Sequence, residues 1–225
     1  MEEGTKVRRV RTKSLPGRQL KRSFFEAPPE RVAPLLLGKV LLAHCAGYGW
    51  VSGRIVETEA YLGPHNDPPD PAAHSYRGPT PRTTVIFGPP GYAYVYAIYG
   101  RYFCMNISCE KAGQAGCVLI RALEPLTGMS RMARNRGLPS DASHRMLTSG
   151  PSRLCQALGL TRLNHNGLDL LDPASRLQVR DDGFKAGRVL VTVRIGLKDA
   201  VDWPLRFALA GNECVSGPKS LNREN

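Results

Sequence analysis

The chain of 225 residues is 42% hydrophobic, which is typical of a protein with a globular core. Its formal net charge of +12 indicates a polyanion as its binding partner. No apolar run approaches the ~20 residues that span a bilayer, and no signal-peptide pattern opens the chain, so we expect a soluble intracellular protein. Its six cysteines show no CxxC pair and no zinc-type spacing, which indicates a reducing compartment. Cys45, Cys104 and Cys117 lie in apolar strand-like runs, which predicts that these three are buried.

The first 22 residues are strongly basic, with eight Lys or Arg against two Glu and no hydrophobic periodicity. Such a composition is typical of disorder. We therefore predict a disordered tail over residues 1–22 and a single folded domain over residues 23–225. The positive charge that remains outside the tail predicts a basic working face on the domain.

The domain pattern predicts one α+β unit without internal repeats or a linker between two cores. A Pro/Gly/Asp-rich loop covers residues 63–82, and a loop of that length is usually functional or disordered. We expect the strand at 117–122 to break at Glu124-Pro125. The predicted strands cover residues 39–45, 50–61, 117–122, 187–197 and 205–210, and the predicted helical segments cover residues 30–37, 126–145 and 149–158.

Residues 92–108, YAYVYAIYGRYFCMNIS, predict a β-hairpin with its tip at Gly100. Alternation places Tyr94 and Tyr96 on one face, while Tyr99 and Arg101 flank the tip. Nucleic-acid-binding proteins use such aromatic residues as wedges and stacking platforms. The alternative is that the tyrosines are core or cross-strand partners. That alternative suits Tyr99 least, because a turn residue has little core to contact.

Candidate chemistry is concentrated in two strands. Glu57, Glu59 and Tyr61 share one face of VETEAY, so a carboxylate lies beside an aromatic residue next to the long loop, where it can serve as a general base. The alternative is an ordinary exposed charge. Arg121 interrupts the apolar run VLIRAL, and a cation there needs a carboxylate or a bound anion as its partner.

The helix predicted to begin at residues 149–152 has a start that favours anions, to which Arg153 adds its charge. A well-capped helix without a ligand explains this feature equally well. The chain lacks the G-x-S-x-G, Walker A, G-x-G-x-x-G, HExxH and zinc deaminase motifs. A carboxylate that activates water, in a basic protein with stacking tyrosines, suits hydrolysis of a flipped-out nucleotide.

Six ordered blocks carry a resemblance to a known family: VETEAYLGP, AAHSYRGPTPR, YVYAIYG, FCMNIS, VLIRALEP and SGPSRLCQALG. Together they resemble the alkyladenine (3-methyladenine) DNA glycosylases of mixed α/β type, not the helix-hairpin-helix type. The match runs from about residue 22 to near the C-terminus. It implies a mixed antiparallel sheet with surrounding helices and a protruding hairpin that inserts into DNA.

The resemblance also implies an activity and a partner. It indicates a monofunctional enzyme that excises alkylated and deaminated purines from the minor groove of double-stranded DNA, without a metal or organic cofactor. The implied protein is a monomer, cytoplasmic in a bacterial nucleoid or, alternatively, nuclear. The competing hypothesis is a DNA-binding protein without catalysis, which keeps the basic face and the hairpin but does not need Glu59.

Block by block, the resemblance implies residue roles. Glu59 takes the place of the general base. Arg121 and the backbone carbonyl of Ile195 take the places that hold the nucleophilic water. Tyr99 corresponds to the side chain that fills the gap left in the duplex. Asn106 corresponds to the residue that obstructs the 2-amino group of guanine.

The flipped base would be bound at the positions of Tyr61, His74 and Tyr96, with the two tyrosines stacking on it. DNA contacts are expected from Arg101, Ser152 and Arg153. Two features depart from the family pattern: the loop before His74 looks longer than usual, and Arg101 stands where a Met is common.

Overall fold

The computed structural model describes residues 15–218 and shows a mixed α+β fold built on one antiparallel sheet. The main path of the sheet is β1-β7-β2-β3-β6-β5-β4, while β9 pairs with β3 and β8 pairs with β9. The strands are β1 (Arg18–Gln19), β2 (Val40–Cys45), β3 (Gly49–Tyr61), β4 (Ala93–Ile98), β5 (Tyr102–Cys109), β6 (Gly116–Thr127), β7 (Leu177–Asp181), β8 (Val189–Thr192) and β9 (Arg206–Leu209).

The helices pack against this sheet and are short. They are α1 (Pro29–Leu36), α2 (Met129–Arg136), α3 (His144–Thr148), α4 (Pro151–Leu158) and α5 (Arg162–His165). Prolines open α1 and α4 at the first helical position, where the missing N–H costs nothing. None of the helices within residues 15–218 is long and apolar enough to cross a membrane.

The long strand β3 organises the sheet. One edge of β3 pairs with β6, while the other pairs first with β2 over residues 49–54 and then with β9 over residues 57–59. The register with β6 shifts on both sides of Glu57, and such irregularities re-aim side chains. Residues 57–59 are therefore enclosed between two neighbouring strands, with their polar side chains inside the protein.

The predicted break in the strand at Glu124-Pro125 is wrong, because β6 continues to Thr127. Pro125 pairs with Gly53 at a register shift, and the next pair is Thr127 with Ser52. A proline cannot donate a ladder hydrogen bond, but a bulge does not require one. The strand predicted over residues 187–197 is shorter than expected, since β8 ends at Thr192 and the chain then leaves the sheet.

Only part of the segment predicted to be a disordered tail falls within the described residues. Residues 1–14 lie outside the described residues. In the described part, β1 pairs with β7, and the Arg22 guanidinium donates to Asp169 at 2.6 Å and to the carbonyl of Pro90 at 2.6 Å. Arg18, Gln19 and Arg22 therefore make specific contacts with the fold.

The predicted hairpin is present as β4 and β5, with Ile98 opposite Tyr102. Only the residues from Asn106 onward pair with β6, so the outer part of the hairpin extends beyond that neighbour. Tyr99 has a positive φ of 48° at the tip and is 90% exposed. All six cysteines are buried free thiols, which confirms the prediction for Cys45, Cys104 and Cys117.

Candidate active site

Glu59 is a fully buried carboxylate in β3 with donors on both of its oxygens. The Ile195 amide donates to Oε1 at 2.8 Å, the Tyr61 hydroxyl donates to Oε2 at 3.0 Å, and Arg121 Nη1 donates to Oε2 at 3.2 Å. The alternative of an exposed surface charge is therefore wrong. The loop after β8 brings the Ile195 amide to Glu59. The sequence prediction concerned the carbonyl of Ile195 and did not include this contact of its amide.

A second buried carboxylate, Glu57, gives Arg121 the partner that the sequence required. Arg121 Nε donates to Glu57 Oε1 at 2.9 Å, and Arg206 Nε donates to the same oxygen at 2.7 Å. The amide of Ser216 donates to Glu57 Oε2 at 2.6 Å. Burial alone would raise the pKa of Glu57, but the charges of Arg121 and Arg206 outweigh it and hold this pKa below its usual value. Glu57 is therefore an ionised, structurally fixed group.

An aromatic cavity opens beside Tyr61, whose hydroxyl donates to Glu59. The Tyr94 and Tyr96 rings are stacked with their centroids 5.2 Å apart. The His74 ring packs edge-on against Tyr96, with 4.6 Å between the ring centroids. The cavity is lined by Tyr61, Ala72, His74, Tyr94, Tyr96, Asn106, Cys117 and Leu197. Its flat aromatic walls suit a planar heterocycle.

Three of the aromatic groups, Tyr61, Tyr96 and His74, stay neutral near pH 7. Burial raises the pKa of Tyr61 and Tyr96, so both hydroxyls keep their protons. Burial, with the nearby positive charge of Arg82, lowers the pKa of His74 to about 4. His74 Nδ1 lies 3.0 Å from the Tyr94 hydroxyl. The pocket therefore offers hydrogen bonds and stacking faces rather than a charged histidine.

The long loop that carries His74 is anchored by a buried ion pair. Arg194 Nη1 and Nη2 donate to the Asp70 carboxylate at 2.5 and 2.9 Å, and both side chains are fully buried. The Arg194 guanidinium also lies 4.7 Å from the centroid of the Tyr61 ring. His74 lines the pocket, and Asp70 ties the loop that carries it to the wall.

Asn106 is buried in β5 opposite Tyr94 and reaches the pocket from the base of the hairpin. The Cys117 thiol lies 3.7 Å from its Oδ1 as a weak donor. Asn106 is thus held by the sheet and faces the cavity. This location places an amide in the wall of the cavity.

A groove beside Arg121 runs to the start of α4 and is lined by Arg121, Arg145, Ser149, Gly150, Pro151, Ser152, Arg153, Ser216 and Gly217. Ser152 and Arg153, expected from the sequence to bind DNA, lie in this groove. Helix N-termini and arginines both favour anions. The groove therefore suits a phosphate-bearing ligand next to Glu59. Tyr99 and Arg101 lie apart from it, at the tip of the hairpin.

Four polar residues that complete the site were not singled out from the sequence: Asp70, Arg194, Arg206 and Ser216. Arg206 interrupts the apolar run LRFALA, which is the signal that identified Arg121. Asp70 and Ser216 lie in loops, where neither periodicity nor spacing distinguishes them. No group of three or more His, Cys, Asp or Glu side chains suited to a metal ion occurs between residues 15 and 218.

Comparison with known sequences defines the class. The family model described as "Methylpurine-DNA glycosylase" matches residues 23–213. Proteins named "Putative 3-methyladenine DNA glycosylase" from Koribacter versatilis and Rhodopseudomonas palustris are 52% and 47% identical to this chain. Each match covers 90% of this chain, together with 95% of the first relative and 92% of the second.

A third relative of that name, from Alkaliphilus oremlandii, is 43% identical over 88% of this chain and 98% of its own length. These matches identify this chain as a DNA glycosylase, which is a hydrolase of base excision repair. The chain belongs to the methylpurine-DNA glycosylase family.

Proposed function

We propose that this enzyme flips alkylated or deaminated purines out of duplex DNA and hydrolyses their N-glycosidic bond. The bases in question are 3-methyladenine, 7-methylguanine, hypoxanthine and ethenoadenine. One observation carries the proposal: Tyr61 lines the aromatic cavity and also donates its hydroxyl to the buried carboxylate of Glu59. A planar base in the cavity therefore has its glycosidic bond beside a candidate general base.

The proposed chemistry follows from charge. Alkylation at N3 or N7 makes the purine cationic and a good leaving group, and the sugar becomes oxocarbenium-like as the bond breaks. Glu59 deprotonates the attacking water and offsets the developing positive charge. Arg121 and the backbone carbonyl of Ile195 hold that water. The Ile195 amide supports this arrangement, because its hydrogen bond to Glu59 keeps the loop against the carboxylate.

The pocket residues bind the base. Tyr61 and Tyr96 stack on it and favour electron-poor alkylated rings, while His74 adds a hydrogen-bonding edge. Asn106 opposes the 2-amino group of guanine and so protects normal guanine from excision. The neutral state of His74 suits this role, since a protonated imidazole would repel a cationic lesion.

DNA is bound from the minor groove, where Tyr99 fills the gap left by the flipped nucleotide and Arg101 contacts the backbone near it. The exposed hairpin tip supports this role, because a 90% exposed tyrosine has no partner in the core. Ser152 and Arg153 hold a phosphate in the groove beside Arg121. The enzyme acts as a monomer in the bacterial nucleoid.

The test replaces Glu59 with Gln and measures single-turnover excision on a panel of duplexes with one lesion each. We expect excision to fall by ~10² or more, the usual scale for a lost general base, with lesion-DNA affinity within about tenfold of wild type. Near-normal excision by the variant would refute the assignment of Glu59. It would leave DNA binding without this chemistry as the better description of the site.

A further inference from the structure

Glu57 is a buried carboxylate that the proposed reaction does not use, although it lies two residues before Glu59. Its Oε1 accepts from Arg121 Nε at 2.9 Å, from Arg206 Nε at 2.7 Å and from the Ser216 hydroxyl at 3.0 Å. Its Oε2 accepts from the Ser216 amide at 2.6 Å. These four hydrogen bonds fix the position of the ionised Glu57 carboxylate.

The Arg121 guanidinium is the link between the two glutamates. Nε contacts Glu57 at 2.9 Å, Nη1 contacts Glu59 at 3.2 Å, and Nη2 contacts the Ser216 hydroxyl at 3.3 Å. An arginine beside one carboxylate normally forms a bidentate pair through two of its nitrogens. Here three different groups hold the three nitrogens, so Arg121 contacts Glu59 through Nη1 alone.

The segment after β9 holds Ser216 in place. Arg145 Nη1 donates to the carbonyls of Glu213 and Val215 at 2.7 Å each, and Ser216 is itself buried. Ser216 is distant in sequence from both glutamates but contacts Glu57 through its amide and its hydroxyl. The C-terminal segment therefore completes the environment of Arg121.

We propose that Glu57, supported by Ser216, is a positioning residue for hydrolysis, since it retains Arg121 Nε and so prevents a bidentate pair between Arg121 and Glu59. This inference rests on the proposed role of Glu59 as the general base. Without Glu57 the guanidinium rotates onto both oxygens of Glu59 and displaces the Ile195 amide from Oε1. A carboxylate held by the full guanidinium is a poorer proton acceptor, and the water site at Ile195 is disturbed with it.

The experiment compares Glu57→Gln and Ser216→Ala with wild type on a duplex that contains one hypoxanthine. It measures the single-turnover excision rate at saturating enzyme, the dissociation constant for the same duplex, and thermal unfolding. We expect the rate to fall by about 10- to 100-fold for Glu57→Gln and by about 3- to 10-fold for Ser216→Ala, the ranges for lost charged and neutral hydrogen bonds. We expect the dissociation constant to change less than about threefold for Glu57→Gln, because Glu57 lines neither the base pocket nor the groove beside Arg121. Ser216 lines that groove, so for Ser216→Ala the rate at saturating enzyme, which does not depend on affinity, is the deciding measurement.

Ser52→Ala is the matched control, because Ser52 is also buried and bonds another side-chain hydroxyl, Thr127, at 2.8 Å at the far end of β3. It should unfold at a lower temperature without any change in excision rate at an assay temperature where every variant is folded. If Ser216→Ala behaves like Ser52→Ala, the positioning role is refuted. If Glu57→Gln does not fold, the excision rate of Ser216→Ala compared with that of Ser52→Ala decides the test.

A double-mutant comparison separates this inference from the proposed function. In a Glu59→Gln background, Ser216→Ala should have no further effect on the residual rate, because the two changes act through one group. Independent effects that multiply would overturn the positioning role while leaving Glu59 as the general base. Near-normal excision by Glu59→Gln alone would overturn both.

Discussion

The buried Asp70–Arg194 pair allows a sharp prediction for Asp70→Asn. Asp70 accepts from two nitrogens of Arg194 and from the amides of Leu62 and Ala72. An asparagine has the same size, but its amide group would direct a donor at another donor and leave the Arg194 charge unpaired. Breaking a buried pair in this way costs about 3–5 kcal/mol. In a domain of this size each kcal/mol lowers the Tm by about 2–4 °C, so we expect a fall of roughly 6–20 °C.

The assay is thermal unfolding followed by circular dichroism, with Asp182→Asn as the matched control. Asp182 also forms a bidentate pair, with Arg54 at 3.0 and 2.9 Å, but it lies at the surface. Surface pairs contribute about 0–1 kcal/mol, so the control should lose no more than about 4 °C. Equal losses in the two variants would refute the argument that burial sets the cost.

Three further predictions concern the proposed roles around the pocket. Tyr99→Ser should reduce excision more for paired lesions than for mismatched ones, because an unfilled gap no longer offsets the few kcal/mol of unstacking; equal losses in single-turnover assays would make Tyr99 only structural. Asn106→Ser should raise excision of normal guanine, particularly in G·T mismatches, with a smaller change for hypoxanthine; if all three rates fall together, Asn106 is scaffolding. His74→Gln should leave the shape of the pH–rate profile between pH 5 and 8 unchanged, since a pKa lowered to about 4 keeps His74 neutral there. If the wild-type rate falls towards pH 5 and the variant no longer shows this fall, the prediction is wrong.

The sequence by itself determined the features that depend on near neighbours in the chain. Alternation in YVYAIYG placed Tyr94 and Tyr96 on one face, and the glycine at the tip predicted the hairpin. The same period put Glu57 and Glu59 on one face of β3. Arg121 was identified because an arginine in an apolar strand requires a partner, and that partner exists. Side-chain period and burial cost are local properties, so a single sequence is sufficient to recognise them.

Only the tertiary structure decided which distant groups complete the site. The Ile195 amide reaches Glu59 across 136 positions of chain and the Ser216 amide reaches Glu57 across 159, and no local pattern specifies such contacts. The continuation of β6 through Pro125 depends on a register shift against β3, which is a property of the pair and not of either strand. His74 is likewise placed by the Asp70–Arg194 pair, since a long irregular loop has no period of its own and takes its position from the side chains that anchor it.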